Sequence, residues 1–191
     1  MKQNKIHFPL SFPELETERL FLKKIRLSDA YDLHTYLSDA EVRKYMGISP
    51  YTKIEETYKE IEWYNKIYRT KTGIRWGIAL KGDPTIIGSC GFLSMNQAHF
   101  RAEIGYELHK DFWRRGIVSE AMAAIIQYGF EKMKVNRIEA LVEPENTASL
   151  LLLESFSFTR EGLLREYEYG AGKFDDLYMY ALLMRDYKNF I

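Results

Sequence analysis

Two hydrophobic periods alternate along this chain, and each change of period marks a change of element. Arg19-Leu-Phe-Leu-Lys-Lys-Ile-Arg26 has the two-residue rhythm of a strand. Ser28 and Asp29 then open a helix, with Ser28 the expected N-cap and Asp29 beside the positive end of the helix dipole. Thr52-Lys-Ile-Glu55 matches a capping box, and Ile54, Tyr58, Ile61, Tyr64 and Tyr68 recur behind it at helical spacing. Three β-rich runs follow at residues 74–80, 86–93 and 102–108, with Gly82-Asp83-Pro84 as the turn between the first two. They predict an antiparallel meander.

From residue 117 to 133 the period is helical again, through Val118, Met122, Ile125, Gly129 and Met133. A strand at 137–142 and a helix at 146–156 come next. Residues 176–184 are apolar on both alternating faces, as in a strand covered on both sides. Residues 1–16, with Pro9 and Pro13, read as an extended N-terminal extension to a domain spanning 17–191. The pattern as a whole predicts a mixed α/β domain.

Composition narrows the reading to an ordinary globular chain. At 191 residues, 46% hydrophobic and 28% charged, it fits one domain with its own core. Lys plus Arg and Asp plus Glu each number 27, so the formal charge is zero. The signs are interleaved, and no basic face marks nucleic acid as a partner. Cys90 is the lone cysteine and excludes an internal disulfide. Set in the apolar run Gly88-Ser-Cys-Gly91, it reads as an inert buried thiol rather than a nucleophile. His34, His99 and His109 lack metal-ligand spacing, so no metal is expected. No segment reaches the ~18 apolar residues of a membrane span, and the opening MKQNKIHFPL lacks a signal-peptide core. A cytoplasmic setting with no membrane partner follows. The 14 Tyr and 11 Phe serve a core or a pocket for a small organic or peptide ligand, where Trp63, Tyr64, Tyr68, Tyr167 and Tyr169 are candidate walls.

The segment richest in chemistry is the strand–loop–helix at residues 102–122. The loop Arg114-Arg115-Gly116 runs straight into a long helix. Amide N–H groups in a first helical turn have no internal partners and lie at the positive dipole end, which makes an anion site. Gly116, without a Cβ, lets a phosphate approach the backbone, while Arg114 and Arg115 add charge and the Ser119 hydroxyl adds a donor. Read alone, the same residues also suit a plain turn with solvated arginines. The loop carries neither the P-loop nor the dinucleotide glycine fingerprint.

In this segment the sequence resembles the GNAT superfamily of N-acetyltransferases. The family's pyrophosphate motif is [Q/R]-x-x-G-x-[G/A], and its ribosomal-protein N-terminal acetyltransferase branch has a run close to Y-W-G-K-G-Y-A-T-E-A. Here the run is Phe112-Trp-Arg-Arg-Gly-Ile-Val-Ser-Glu-Ala121, with Gly116 matching and Val118 in place of Gly or Ala. Val142-Glu-Pro-Glu-Asn146-Thr-Ala-Ser149 and the following Leu150 to Phe158 resemble V-x-x-x-N-x-x-S-x-x-x-x-E-K-x-G-F, with Ser155 and Ser157 replacing Lys and Gly. Arg19-Leu, Ile86-Ile-Gly, Glu103-Ile-Gly-Tyr and residues 176–183 match in the same order, so the likeness covers roughly 17–185. The resemblance implies a mostly antiparallel central sheet of about 6–7 strands flanked by helices and splayed between the fourth and fifth strands. It also implies acetyl-CoA as co-substrate, held by Tyr106, Leu108, Arg114, Arg115, Gly116, Ile117, Val118, Ser119 and Asn146. The backbone from Tyr106 to Leu108 would pair with pantetheine as an added strand.

Acetyl transfer to an amine needs a base for the attacking nitrogen, donors for the developing oxyanion and an acid for the departing thiolate. The resemblance points to Glu168, in the Glu161-Gly-Leu-Leu-Arg-Glu-Tyr-Glu168 run, as the base. Glu103 is the second candidate, or its water-holding partner. Ser149 is the expected acid, and Asn146 serves both as N-cap and as a pantetheine ligand. The implied acceptor is a peptide N-terminus or a small amine. Dimers are common in the family, though no interface is legible here. A non-catalytic CoA-binding module is the alternative, and an enzyme for another CoA thioester or phosphate-bearing ligand is a more remote one.

Overall fold

The computed structural model describes residues 5–170 and 172–187. One sheet of eight strands organises them, in the order β1-β2-β3-β4-β5-β6-β8-β7. The strands are β1 (Leu15–Glu16), β2 (Leu20–Lys24), β3 (Ile74–Leu80), β4 (Ile86–Asn96), β5 (Arg101–Leu108), β6 (Arg137–Val142), β7 (Thr159–Gly170) and β8 (Lys173–Leu183). β1 to β5 form the antiparallel meander that the period-two runs predict. The β5–β6 pair is parallel and short: Arg101, Ala102 and Glu103 pair with Arg137, Ile138 and Glu139, and the ladder stops there. Past Glu103 the strands diverge, giving the splay expected between the family's fourth and fifth strands.

Eight strands exceed the expected six or seven for two reasons. β1 pairs over only two residues, too short to leave a periodic trace. β7 is exposed along nearly its whole length and carries no apolar alternation, its partner β8 supplying the buried side chains. Two expected caps also move. Ser28 lies inside a short 3₁₀ turn whose cap is Arg26 N donating to Asp29 Oδ2 at 2.7 Å. The box at residue 52 closes one residue later, because the Glu56 carboxylate, and not Glu55, accepts from Thr52 N and Lys53 N.

The helices are α1 (Ala30–Leu37), α2 (Ala40–Arg43), α3 (Ile54–Arg69), α4 (Ile117–Gln127), α5 (Thr147–Ser155) and α6 (Met184–Tyr187). α4 runs on through a π turn at Tyr128–Lys132, which keeps Gly129, Phe130 and Met133 on its buried stripe. The larger core lies between the sheet and α4–α5, around Trp76, Phe92, Met122, Ile125, Phe130 and Ile138. A smaller one fills the space beneath α1 and α3, around Leu33, Tyr36, Leu37, Ile61 and Tyr64. The N-terminal stretch packs on the larger core: Ile6 is buried, and Pro13 O accepts from Trp76 Nε1 at 2.6 Å.

Alternation along β5 separates two kinds of chemistry. Ala102, Ile104 and Leu108 enter the α4 core, whereas Glu103 and Glu107 point to the opposite face. There Glu107 is buried with Arg75 and Ser89. Arg75 Nε donates to Ser89 Oγ at 2.7 Å, Nη1 to Gly105 O at 2.8 Å, and Nη2 to the Glu107 carboxylate. Every nitrogen of that guanidinium is satisfied.

Candidate active site

The strand–loop–helix segment has an open anion cradle. Trp113 Nε1 donates to Leu108 O at 2.8 Å and pins the loop to the end of β5. Arg114 and Gly116 take left-handed backbone angles, φ 60° and φ 71°. Gly116 caps α4 without any side-chain cap, and the first intrahelical bond runs from Glu120 N to Gly116 O at 3.0 Å. The amides of Ile117, Val118 and Ser119 therefore precede the ladder. Arg114, Arg115 and Gly116 are exposed, and Val118 and Ser119 half-buried.

Arg19, which the pattern along the chain placed only in a strand, belongs to this cradle. Its Nη1 donates to Arg115 O at 2.9 Å, its Nε pairs with Glu120 at 2.6 Å, and Nη2 would lie 3.4 Å from a Cβ on Gly116. Thr17 Oγ1 also donates to Glu120. Nothing local in Arg19-Leu signals this. The contact exists only because β2 reaches the start of α4.

Beside the cradle, β5 from Ile104 to Leu108 has no ladder partner on its β6-facing edge. Asn146 caps α5, its Oδ1 accepting from Ser149 N at 3.2 Å. The Tyr106 hydroxyl is buried and makes no hydrogen bond among the described residues. Burial pushes its pKa up to about 12, with the nearby Ser149 hydroxyl opposing. A donor thus stands orphaned beside Ser149 at the mouth of the fork.

Glu168 lies near enough for its charge to act on Glu103. Register shifts in β7 between Leu164 and Glu168 carry the hairpin forward and set Glu168 opposite Asp175. The hairpin tip folds against the loop after α2. The Glu168 carboxyl lies on Gly47, where a Cβ would be 3.1 Å from Cδ, and a methyl on Gly170 would overlap the Gly47 carbonyl. Gly47 itself takes φ 63°. Burial raises the proton affinity of Glu103, and the carboxylates of Glu139 and Glu168 raise it further. Cys90 takes no part: it is buried and its thiol is pushed up to about 12 by desolvation. Among the described residues, no three His, Cys, Asp or Glu side chains gather to hold a metal, and no helix is long and apolar enough to cross a membrane.

Residues 19–159 match the family model for the acetyltransferase (GNAT) domain. The chain belongs to the GNAT acetyltransferases. It is 47% identical to the uncharacterized N-acetyltransferase p20 of Bacillus licheniformis, over 91% of this chain and 97% of that one. It is 26% identical to the [ribosomal protein uS5]-alanine N-acetyltransferase of Escherichia coli, over 91% and 92% of the two chains. The structure of the microcin C7 self-immunity acetyltransferase MccE in complex with acetyl-CoA and AMP superposes with a TM-score of 0.78. That alignment covers 87% of this chain and 93% of MccE at 24% identity. As a GNAT protein the chain is an acetyl-CoA-dependent acetyltransferase, and its geometry fits that co-substrate. The Gly116 loop and the free amides of α4 suit a pyrophosphate, and the unpaired edge of β5 suits the amides of a pantetheine arm.

Proposed function

We propose that the enzyme moves an acetyl group from acetyl-CoA to a primary amine by direct attack while both substrates are bound. The amine nitrogen attacks the thioester carbonyl carbon, and the bond from that carbon to sulfur breaks. Glu168 takes the proton from the nitrogen, with Glu103 holding the water through which it passes. Ser149 returns a proton to the departing sulfur, and the Tyr106 hydroxyl, kept protonated at neutral pH, is a second donor beside it. No covalent enzyme intermediate is needed when the two substrates share one site.

The observation that carries the reading is Glu103, whose proton affinity is raised by burial and by the charges of Glu139 and Glu168 on other strands. The raised proton affinity suits Glu103 to hold the water through which the proton passes. Carboxylates placed near one another also attract an ammonium group, which favours an amine over an alcohol. The E. coli relative acts by its name on an alanine of ribosomal protein uS5, which supports a peptide N-terminus or small amine as acceptor. A cytoplasmic setting agrees with that partner.

The test is thiol release from acetyl-CoA over a panel of peptides and small amines. Glu168→Gln is expected to lower kcat by about 10²- to 10⁴-fold while acetyl-CoA affinity, read by titration calorimetry, stays unchanged. The same loss from Glu103→Gln alone would transfer the base to Glu103. Full turnover in both variants would remove the carboxylate pair from the chemistry.

A further inference from the structure

Arg43, the last residue of α2, is 2% exposed, yet its guanidinium Nε and Nη2 have no hydrogen-bond partner among the described residues. Among the described residues no carboxylate pairs with it within 4.0 Å, whereas Arg75, Arg101 and Arg137 are each paired. The ring of Tyr51 covers one face of the guanidinium at 4.4 Å. Stacking leaves the N–H groups unsatisfied, because they point outward in the guanidinium plane. Glu60 accepts from the Tyr51 hydroxyl at 2.8 Å. Buried donors in folded proteins are nearly always matched. This one presents a planar fork with the geometry of a carboxylate.

Its place in the fold ties the fork to the acceptor side. Arg43 O accepts from Met46 N at 3.1 Å in the turn that delivers Gly47 to Glu168. Across from it, the Arg43 charge acts on Glu107, which shares the acceptor-side face of β5 with Glu103. The acceptor side therefore has two poles: carboxylates at Glu103 and Glu168, and at Arg43 a guanidinium whose Nε and Nη2 are unmatched among the described residues.

We infer that the acceptor is a primary amine that also carries a carboxylate, with its nitrogen at Glu103 and Glu168 and its carboxylate on Arg43. The inference rests on the amine-acetyltransferase reading and names its substrate class. Two sources supply that chemistry: a free amino acid, and a peptide whose acidic side chain lies close to its N-terminus.

Two acceptor pairs separate them, each exchanging a carboxylate for an amide and each compared per fraction of neutral amine: leucine against leucinamide, and Ala-Glu-Ala amide against Ala-Gln-Ala amide. In the wild-type enzyme the acid of one pair is expected to have a kcat/KM at least ~10-fold above its neutral partner, the size of one charge-assisted bond. Arg43→Gln should collapse that ratio to about unity while leaving acetyl-CoA affinity unchanged. Arg43→Lys, which keeps the charge but not the fork, should retain part of it. A neutral acceptor used as well as its acid, or a preference that survives Arg43→Gln, overturns the inference and leaves the acetyltransferase reading standing. Should Arg43→Gln fail to fold, the wild-type enzyme still decides through the acetylated products. N-acetylleucine and N-acetyl-Ala-Glu-Ala amide are each set against the neutral counterpart, and one of the two acids should bind ~10-fold more tightly. Equal binding within both product pairs overturns the inference. CoA release from none of the four acceptors, with that carboxylate-selective binding intact, would overturn the amine-acetylation reading instead.

Discussion

The two sides of the active site are built in opposite ways. The cofactor side, from Tyr106 to Ser119, is one unbroken strand, loop and helix. Its proposed donors are backbone amides exposed by a helix start. The proposed acceptor side is assembled from parts far apart in the chain. Glu103 comes from β5, Arg43 and Gly47 from the α2 turn, and Glu168 and Gly170 from the β7–β8 hairpin. Contiguous chemistry is robust and uniform, while assembled chemistry depends on each contact that brings the parts together. Acceptor choice can therefore change through a hairpin or a loop without disturbing the cofactor cradle.

The sharpest way to break this contrast is Gly116→Glu. It places a carboxylate and a side chain at a φ of 71° where a pyrophosphate would lie. A like-charge contact near a protein surface costs about 4 kcal/mol, so acetyl-CoA affinity should fall about 1,000-fold. Titration calorimetry reads this, and unchanged affinity would dissolve the cofactor side as defined here. Gly170→Ala attacks only the acceptor side, since its methyl would overlap the Gly47 carbonyl and push the hairpin away from Glu168. Displacing a reacting group by about 1 Å costs up to roughly 100-fold. A fall in kcat/KM for the amine of roughly 10- to 100-fold is expected, with acetyl-CoA binding intact. Loss of both together would show that the two sides are one unit.

Asn146→Ala tests a joint between the sides. It removes the cap that accepts from Ser149 N, at a cost of about 1 kcal/mol to stability, and thermal melting reads it. The smallest effect is a pH dependence. Burial, Glu139 and Glu168 make folded Glu103 bind its proton more tightly than the unfolded chain does. Stability is thus lost as pH rises from the ordinary glutamate range through the raised value. Glu103→Gln removes that dependence, so its Tm should exceed wild type at about pH 8 and converge with it below about pH 4. A Tm difference independent of pH would mean that Glu103 is as well solvated as a surface acid.

Much of this was legible in the linear chain. Period-two and period-3.6 runs located β2 to β6, β8 and the helices α3, α4 and α5, because each buries one stripe in a core and the stripe dictates residue type. The turn at Gly116 and the cap at Asn146 depend on neighbours in sequence, and so they were legible as well. The cap at Ser28 and the box at Thr52 were misread by a residue or two, since adjacent Ser, Thr, Asp and Glu compete for the same amides.

What the tertiary structure alone decided has a common physical origin. β7 is solvent-exposed, so selection for burial left no pattern on it, and only pairing with β8 makes it a strand. Arg19 joins the Gly116 loop, Glu168 reaches Gly47, and Arg43 is buried without a partner through contacts between residues distant in the chain. Local sequence determines where the chain bends and which stripe it buries. Which charges then meet, and which are left unanswered, is decided only when the sheet closes.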